Sequence, residues 1–280
     1  MTSDLYNRWA KETVPIRENI LKMIHQAKSG HPGGSLSCVE IIYALFAHGG
    51  VMKHDPLNPT AKERDRFVLS KGHCVPTLYS ILSTVGYDIP TEELMTLRHL
   101  GSRLQGHPDR VRLPFVEAST GSLGQGASMA QGLAMAYRLD NINGRIFALI
   151  GDGESQEGQI WEMALSAAHH KLSNLTVILD YNKGQIDGPT DKVCSLEPVK
   201  EKWQAFGWQV QEVDGHKYQD IVGALKNPST SKPNFILANT IKGKGVSFME
   251  NNNEWHGKAP SDEELRKAIE EIKGQQSIGL

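Results

Sequence analysis

The chain has 280 residues, with 30 Lys and Arg against 32 Asp and Glu, a formal net charge of −2. That near-neutral balance excludes a general nucleic-acid or anionic-membrane binder, which carries a basic excess. Hydrophobic residues at 39% and charged residues at 22% describe an ordinary folded chain rather than a disordered one, and no run approaches the ~18 apolar residues of a membrane span.

The first residues show no basic-then-apolar leader, and Cys38, Cys74 and Cys194 lie far apart without metal spacing. Free thiols in a reducing cytoplasm are expected. Ile16, Ile20, Met23, Ile24 and Ala27 recur at helical spacing behind Pro15, which predicts a helix opening there. Ser29-Gly30-His31-Pro32-Gly33-Gly34 ends it. Leu36 to Phe46 reads as one buried helix, and 53–66 as a loop. Phe67 to Leu69 is a short strand halted by Ser70-Lys71-Gly72-His73. Thr77 to Val85 and Thr91 to His99 read as helices. From Gly101 to Gly126 the periodicity lapses; so long a loop is usually functional. Ala127 to Leu139 is a helix of small residues able to pack closely on a sheet.

The middle of the chain is the most regular. Arg145 to Ile150 is a buried strand ending in Gly151-Asp152-Gly153, Gln159 to His169 a helix, and Leu175 to Leu179 a strand ending in Asp180-Tyr181-Asn182. This is a βαβ unit with parallel strands. Trp208 to Val213, Tyr218 to Leu225 and Asn234 to Asn239 continue the alternation. A capping box, Ser261-x-x-Glu264, opens the last helix, which is expected to stop at Gly274. With its cap in place, that helix does not read as a severed end. The absence of repeats or linkers predicts a single domain over 1–280: a doubly wound, mostly parallel α/β sheet flanked by helices.

Such sheets bind ligands beyond the carboxyl ends of their strands. Asp152 and Asn182 each follow one, 30 positions apart, about one βαβ unit. Both offer oxygen, as does the backbone carbonyl of Gly184. A set so small and weakly charged suits Mg²⁺ (or Ca²⁺ or Mn²⁺) that completes its shell with phosphate oxygens. Gly151 and Gly153 let backbone approach a phosphate closely, and the helix that follows offers amide donors.

Gly151-Asp152-Gly153-Glu154, with Asn182 further on, resembles the thiamine diphosphate fingerprint. Ser29-Gly30-His31-Pro32-Gly33-Gly34, Ser70-Lys71-Gly72-His73, Gly106-His107-Pro108, Thr120-Gly121-Ser122-Leu123-Gly124-Gln125-Gly126 and His256-Gly257-Lys258-Ala259-Pro260 follow in the order of the transketolase family. The likeness runs from about residue 15 to 260 and covers that family's N-terminal, diphosphate-binding half. The resemblance implies that Asp152, Asn182 and Gly184 hold the metal. It implies that Gly153 and Glu154 serve the diphosphate, and that Gly121, Ser122, Leu123, Ile186, His73 and His256 line the cofactor. Glu157 matches a carboxylate at the subunit interface. Six of the eleven histidines adjoin glycine, so adjacency alone selects too many. His31, His73, His107 and His256 lie in matched motifs and are the implied catalytic residues, moving protons at sugar hydroxyls; His48 and His216 are read as structural. Ser122 stands where proline is common, and Gly184 where a larger aliphatic is common.

The family's pyrimidine-binding glutamate and sugar-phosphate arginines have no matching motif. The implied protein is one subunit of a split enzyme. Its partner would carry the pyrimidine-binding domain in an α2β2 assembly, acting on sugar phosphates in ordinary pentose phosphate exchange. The alternatives are a non-catalytic cofactor-binding subunit or the α subunit of a 2-oxoacid dehydrogenase. A dinucleotide fold is disfavoured because no Gly-x-Gly-x-x-Gly follows a first strand. A histidine metallohydrolase lacks i, i+4 histidines on a helix.

Overall fold

Residues 2–278 are described by a computed structural model. In chain order the elements are α1 (Thr2–Ala27), α2 (Pro32–Ser37), α3 (Val39–Phe46), β1 (Arg66–Leu69), α4 (Val75–Thr84), α5 (Gln125–Leu139), β2 (Ile146–Gly151), α6 (Gly158–His169) and β3 (Leu175–Tyr181). A two-strand hairpin follows, β4 (Gly184–Gln185) and β5 (Gly188–Pro189), then α7 (Thr190–Val193), α8 (Val199–Ala205), β6 (Gln209–Asp214), α9 (Tyr218–Lys226), β7 (Asn234–Asn239) and α10 (Asp262–Ile278). The main sheet runs β1-β2-β3-β7-β6, and every pairing in it is parallel.

Strand side chains alternate between two cores, as a period of two requires. Phe67, Leu69, Phe147, Leu149, Ile178 and Ile236 join α1, α3, α4 and α9 on one face. Val68, Ile146, Ala148, Val177, Leu179 and Phe235 join α5, α6 and α8 on the other. Both faces are covered, so the sheet is doubly wound, as expected. The crossover from β2 to β3 uses α6 on one face, and that from β6 to β7 uses α9 on the opposite face. The winding therefore changes side between the neighbours β3 and β7, which opens a crevice at their carboxyl ends.

Several boundaries differ from expectation for identifiable reasons. Pro15 lies inside α1, which begins at Thr2 instead of behind the proline. Trp9 explains why: it is fully buried and makes edge contacts with Tyr43 and Tyr218, and that burial offsets the lost backbone bond. The helix expected over 36–46 is two, broken at Cys38. There the Gly34 carbonyl accepts from Ser37 Oγ, Cys38 Sγ and Lys71 Nζ in place of a helical N–H. The segment from Thr91 is a short 3₁₀ turn ending at Thr96. Gly274 lies within α10, which continues to Ile278; a mid-helix glycine costs only about 1 kcal/mol. The capping box forms reciprocally, with Glu264 N donating to Ser261 Oγ at 3.2 Å and Ser261 N to Glu264 Oε2 at 2.8 Å. Local periodicity does not announce α8, which is anchored by Trp203 stacked on Phe235 at 4.0 Å.

A buried polar brace fixes the loop after β7. Arg17 pairs with Glu40 and donates to the Leu36 and Lys244 carbonyls, each at 2.9 Å. His216 Nε2 accepts from Ile241 N at 2.9 Å, so Nδ1 carries the proton that faces Glu40 Oε2 at 3.0 Å. Burial alone would raise the Glu40 pKa, but Arg17 and His216 outweigh it and hold it at about 2. Because the folded value lies below the unfolded one, this stabilisation is complete above the ordinary glutamate range and fades as pH falls towards 2. Glu40→Gln should cost about 3 kcal/mol at pH 7 by urea denaturation, with the gap to wild type shrinking steadily in acid. Equal stability at pH 7 would contradict the brace.

Candidate active site

Three strand ends deliver the polar groups. Asp152 follows β2, Asn182 follows β3, and Thr240 to Lys242 follow β7. Asp152 and Asn182 come together: the Asn182 amide donates to Asp152 Oδ2 at 3.0 Å, and Gly184 N donates to Asn182 Oδ1 at 3.2 Å. Asp152 Oδ1 is buried with no hydrogen-bond partner among the described residues. Burial and the nearby Asp180 raise the Asp152 pKa to about 7. A buried carboxylate oxygen without a donor is costly, and a divalent cation is the group that would satisfy it. Among the described residues no cluster of three His, Cys, Asp or Glu side chains forms a metal site. The expected set contains only one such ligand, with an amide oxygen and a carbonyl as the others. At Gly184 a Cβ would fall 2.4 Å from Asn253 Oδ1 and 3.3 Å from Asn182 Oδ1. A larger residue at Gly184 would therefore require the Asn253 side chain to move.

Beneath this pair lies a buried ion pair. Asp180 accepts from Lys71 Nζ, from Thr240 Oγ1 and from Ser37 Oγ at 2.6 Å. Lys242 is also buried, and among the described residues no carboxylate lies within ion-pair distance of it. Burial, then repulsion from Lys71, lowers its pKa to about 8. Its Nζ faces His256 Nδ1 at 3.1 Å, so one side chain links the Asp152 region to the histidines.

Those histidines converge from distant segments. Ring centroids are 5.0 Å apart for His31 and His73, 5.4 Å for His31 and His256, and 5.5 Å for His73 and His256. Burial, with repulsion from His73, lowers the His31 pKa to about 4; burial, with Lys242, lowers that of His256 to about 3. His31 Nδ1 is buried with no hydrogen-bond partner among the described residues. His107 stands at the exposed edge of the same mouth, its ring against Gly121, where a Cβ would come 2.8 Å from His107 Cδ2. Gly121 has φ +137°, which also favours glycine.

The remaining expected residues divide. Gly153 lies beside Gln185, and Leu123 is half-buried. Ser122, Glu157 and Ile186 are exposed, with Glu157 at the start of α6. Ile186 has 69% of its surface open, so within this chain it packs against nothing extensive. Glu154 is buried and its carboxylate accepts from Ser70 Oγ, from Gly124 N at 2.9 Å and from Gly151 N at 3.2 Å. It ties three loops together and presents no free oxygen edge comparable to Asp152. Sequence reasoning did not single out Lys242, Asp180 or Asn253 as site residues. For Lys242 the signal was available, since Thr240-Ile241-Lys242-Gly243 directly follows a strand. Cys38 and Cys74, distant in sequence, lie in side-chain contact next to Lys71.

The fold and this polar mouth place the chain among α/β enzymes that act at the carboxyl edge of a parallel sheet. The family described as "Transketolase, thiamine diphosphate binding domain" matches residues 11–276. The chain belongs to the transketolase family, as a subunit corresponding to its N-terminal, thiamine diphosphate-binding part. It is 46% identical over 259 residues to a 6-deoxy-6-sulfo-D-fructose transketolase subunit of a Clostridium species, covering 92% of this chain and 93% of that protein. It is 41% identical to an apulose-4-phosphate transketolase subunit of Phocaeicola vulgatus, covering 91% and 90% of the two chains. The crystal structure of Campylobacter jejuni transketolase matches with a TM-score of 0.88 at 37% identity, over 95% of this chain and 43% of that one. This chain thus spans less than half of such longer transketolases. None of these matches favours the 2-oxoacid dehydrogenase alternative.

Asp152→Asn removes the buried charge while keeping the shape. The variant should be at least as heat-stable as wild type at pH 8 without ligands. It should also lose the thermal shift, on the order of 5 °C, that thiamine diphosphate and Mg²⁺ together give when saturating. An undiminished shift in differential scanning fluorimetry would remove Asp152 from the site.

Proposed function

We propose that this chain, acting as one unit over residues 1–280, is the diphosphate-binding half of a two-polypeptide transketolase. It would transfer a two-carbon ketol unit from a ketose bearing an anionic tail to an aldose phosphate. The observation that carries the reading is Lys242. Its side chain passes Gly184 and ends on His256, which supports a reading in which the proposed cation-and-diphosphate site and the imidazole cluster share one mouth.

Asp152 and Asn182 side chains and the Gly184 carbonyl would hold a divalent ion, with Mg²⁺ the best fit to so few oxygen ligands. Gly153 and Lys242 would meet the diphosphate, Lys242 as a donor with no carboxylate partner among the described residues. Gly121, Leu123, Ser122, Ile186, His73 and His256 would line the remainder, and Glu154 braces the loops that carry them. Thiamine diphosphate, when bound, supplies the electron sink for the two-carbon fragment. The protein's part is at the hydroxyls. An imidazole in its neutral form offers one donor and one acceptor, and His31, His73, His107 and His256 would each present a ring here. They can therefore orient a polyol, take a hydroxyl proton and return one to an alkoxide.

A partner carrying the pyrimidine-binding domain completes the mouth from outside, with Glu157 and Ile186 at the junction. An α2β2 assembly in the cytoplasm agrees with closed two-fold symmetry being the commonest solution. The relatives of near-equal length are named for 6-deoxy-6-sulfo-D-fructose and for apulose 4-phosphate. They support a specialised anionic donor over the ordinary pentose phosphates.

With its partner present, His31→Ala and His256→Ala should each lower kcat by roughly 10²–10⁴-fold, and His31→Ala should leave thiamine diphosphate affinity, read by calorimetry, largely unchanged. Wild-type turnover in both variants would defeat the assignment. The purified chain by itself, with thiamine diphosphate and Mg²⁺, should show negligible ketol transfer from either a ketose phosphate or a sulfonated ketose. Adding the partner should restore transfer from one of them; full turnover without a partner would refute the split design.

A further inference from the structure

Arg98 is not among the residues assigned above. Its backbone lies at φ +63°, a left-handed conformation that side chains other than glycine adopt reluctantly. The strain is held by packing on both sides: Leu97 and Leu104 are fully buried, and Arg98 N donates to the Leu104 carbonyl at 2.9 Å. The guanidinium then forks. Nη1 donates to Ser29 Oγ at 3.1 Å, two residues before His31, and Nη2 donates to the Gly106 carbonyl at 3.4 Å, one residue before His107. It lies flat on the Gly106 backbone, where a Cβ would come 2.7 Å from Cζ. Among the described residues no carboxylate is within ion-pair distance, although the side chain is about half-buried. A partly desolvated guanidinium without a counter-ion contributes little to stability as a charge. Its two bonds go instead to the segments that present two of the histidines.

We propose that Arg98 is a positioning residue that clamps the His31 segment to the His107 segment and sets the spacing of the two imidazoles. The inference rests on the reading of the histidine cluster given above. The groups facing His31 are His73, His107, His256, Cys74 and Arg98; those facing His107 are Arg98, His73, Cys74 and His31. Arg98 is the permanent cation common to both sets. Each ring is held below its ordinary pKa, chiefly by burial, with Arg98 acting in the same direction.

The test separates the clamp from the reaction. Histidine ring titrations by NMR on the full chain without cofactor should show the His31 and His107 midpoints rising by about half a pH unit in Arg98→Gln. His256 and the remote His48 should stay fixed. Arg98→Lys keeps the charge and loses the fork, so its midpoints should stay near wild type. In the assembled enzyme both variants should lose at least about tenfold in kcat with a smaller change in KM. Only Arg98→Gln should move the acid limb of the pH profile upwards, because protonation then removes the neutral imidazoles at a higher pH. Unchanged His31 and His107 midpoints in Arg98→Gln, or equal shifts in all four histidines, overturn the clamp. Local shifts with wild-type turnover keep the clamp and overturn the role of these histidines in the reaction.

Discussion

The Lys71–Asp180 pair is the constraint to which the rest of the site refers. Lys71 comes just after β1, Asp180 is the penultimate residue of β3, Ser37 ends α2 and Thr240 follows β7, so the pair and its two hydroxyl partners join four separate segments. Both charged groups are buried. Removing one partner of such a pair leaves an uncompensated charge and typically costs about 3–5 kcal/mol, which makes the arrangement nearly obligatory once the chain is folded. Its influence reaches the two groups that flank it in the mouth. Asp180 raises the Asp152 pKa while Lys71 opposes it, and Lys71 lowers that of Lys242. The pair is neutral as a unit, but its two ends face different neighbours and polarise the mouth.

Much of this was legible in the residues. Alternating apolar strands and helices named a doubly wound sheet, and the spacing from Asp152 to Asn182 put both at neighbouring strand ends, where the Asn182 amide meets the Asp152 carboxylate. Motifs separated by more than 200 residues pointed to one histidine cluster, and the rings of His31 and His256 lie 5.4 Å apart. What escaped reading depends on tertiary contact. Pro15 looked like a helix start because local preference cannot see Trp9 buried on the far side of it. The break at Cys38 follows from three side chains competing for one carbonyl, two of them its near neighbours and the third Lys71. Glu154 reads as a cofactor ligand in a motif, yet its oxygens face Ser70, Gly124 and Gly151. A motif records that a position matters; only the fold says to which neighbour.

The electrostatics of the mouth argue that its ligand is an anion carrying its own cation. Three groups are left incomplete by the chain itself: a buried carboxylate oxygen at Asp152, an ammonium at Lys242 and a guanidinium at Arg98, the last two without a carboxylate among the described residues. A simple cation would satisfy Asp152 and worsen Lys242. A bare anion would satisfy Lys242 and worsen Asp152. A diphosphate bound with a divalent ion meets both requirements, because the metal end can sit on the acid–amide pair while the oxygens reach the lysine. The same pairing bears on the histidines. Apart from burial, Lys242 is the largest influence holding the His256 pKa at about 3, far below the range in which an imidazole exchanges protons well. An anion that neutralises that ammonium would relieve this part of the lowering, while burial, the larger cause, remains. In the reading proposed above, Lys242 would therefore link the diphosphate to His256 and not to His31 or His107, whose lowered pKa values have other causes.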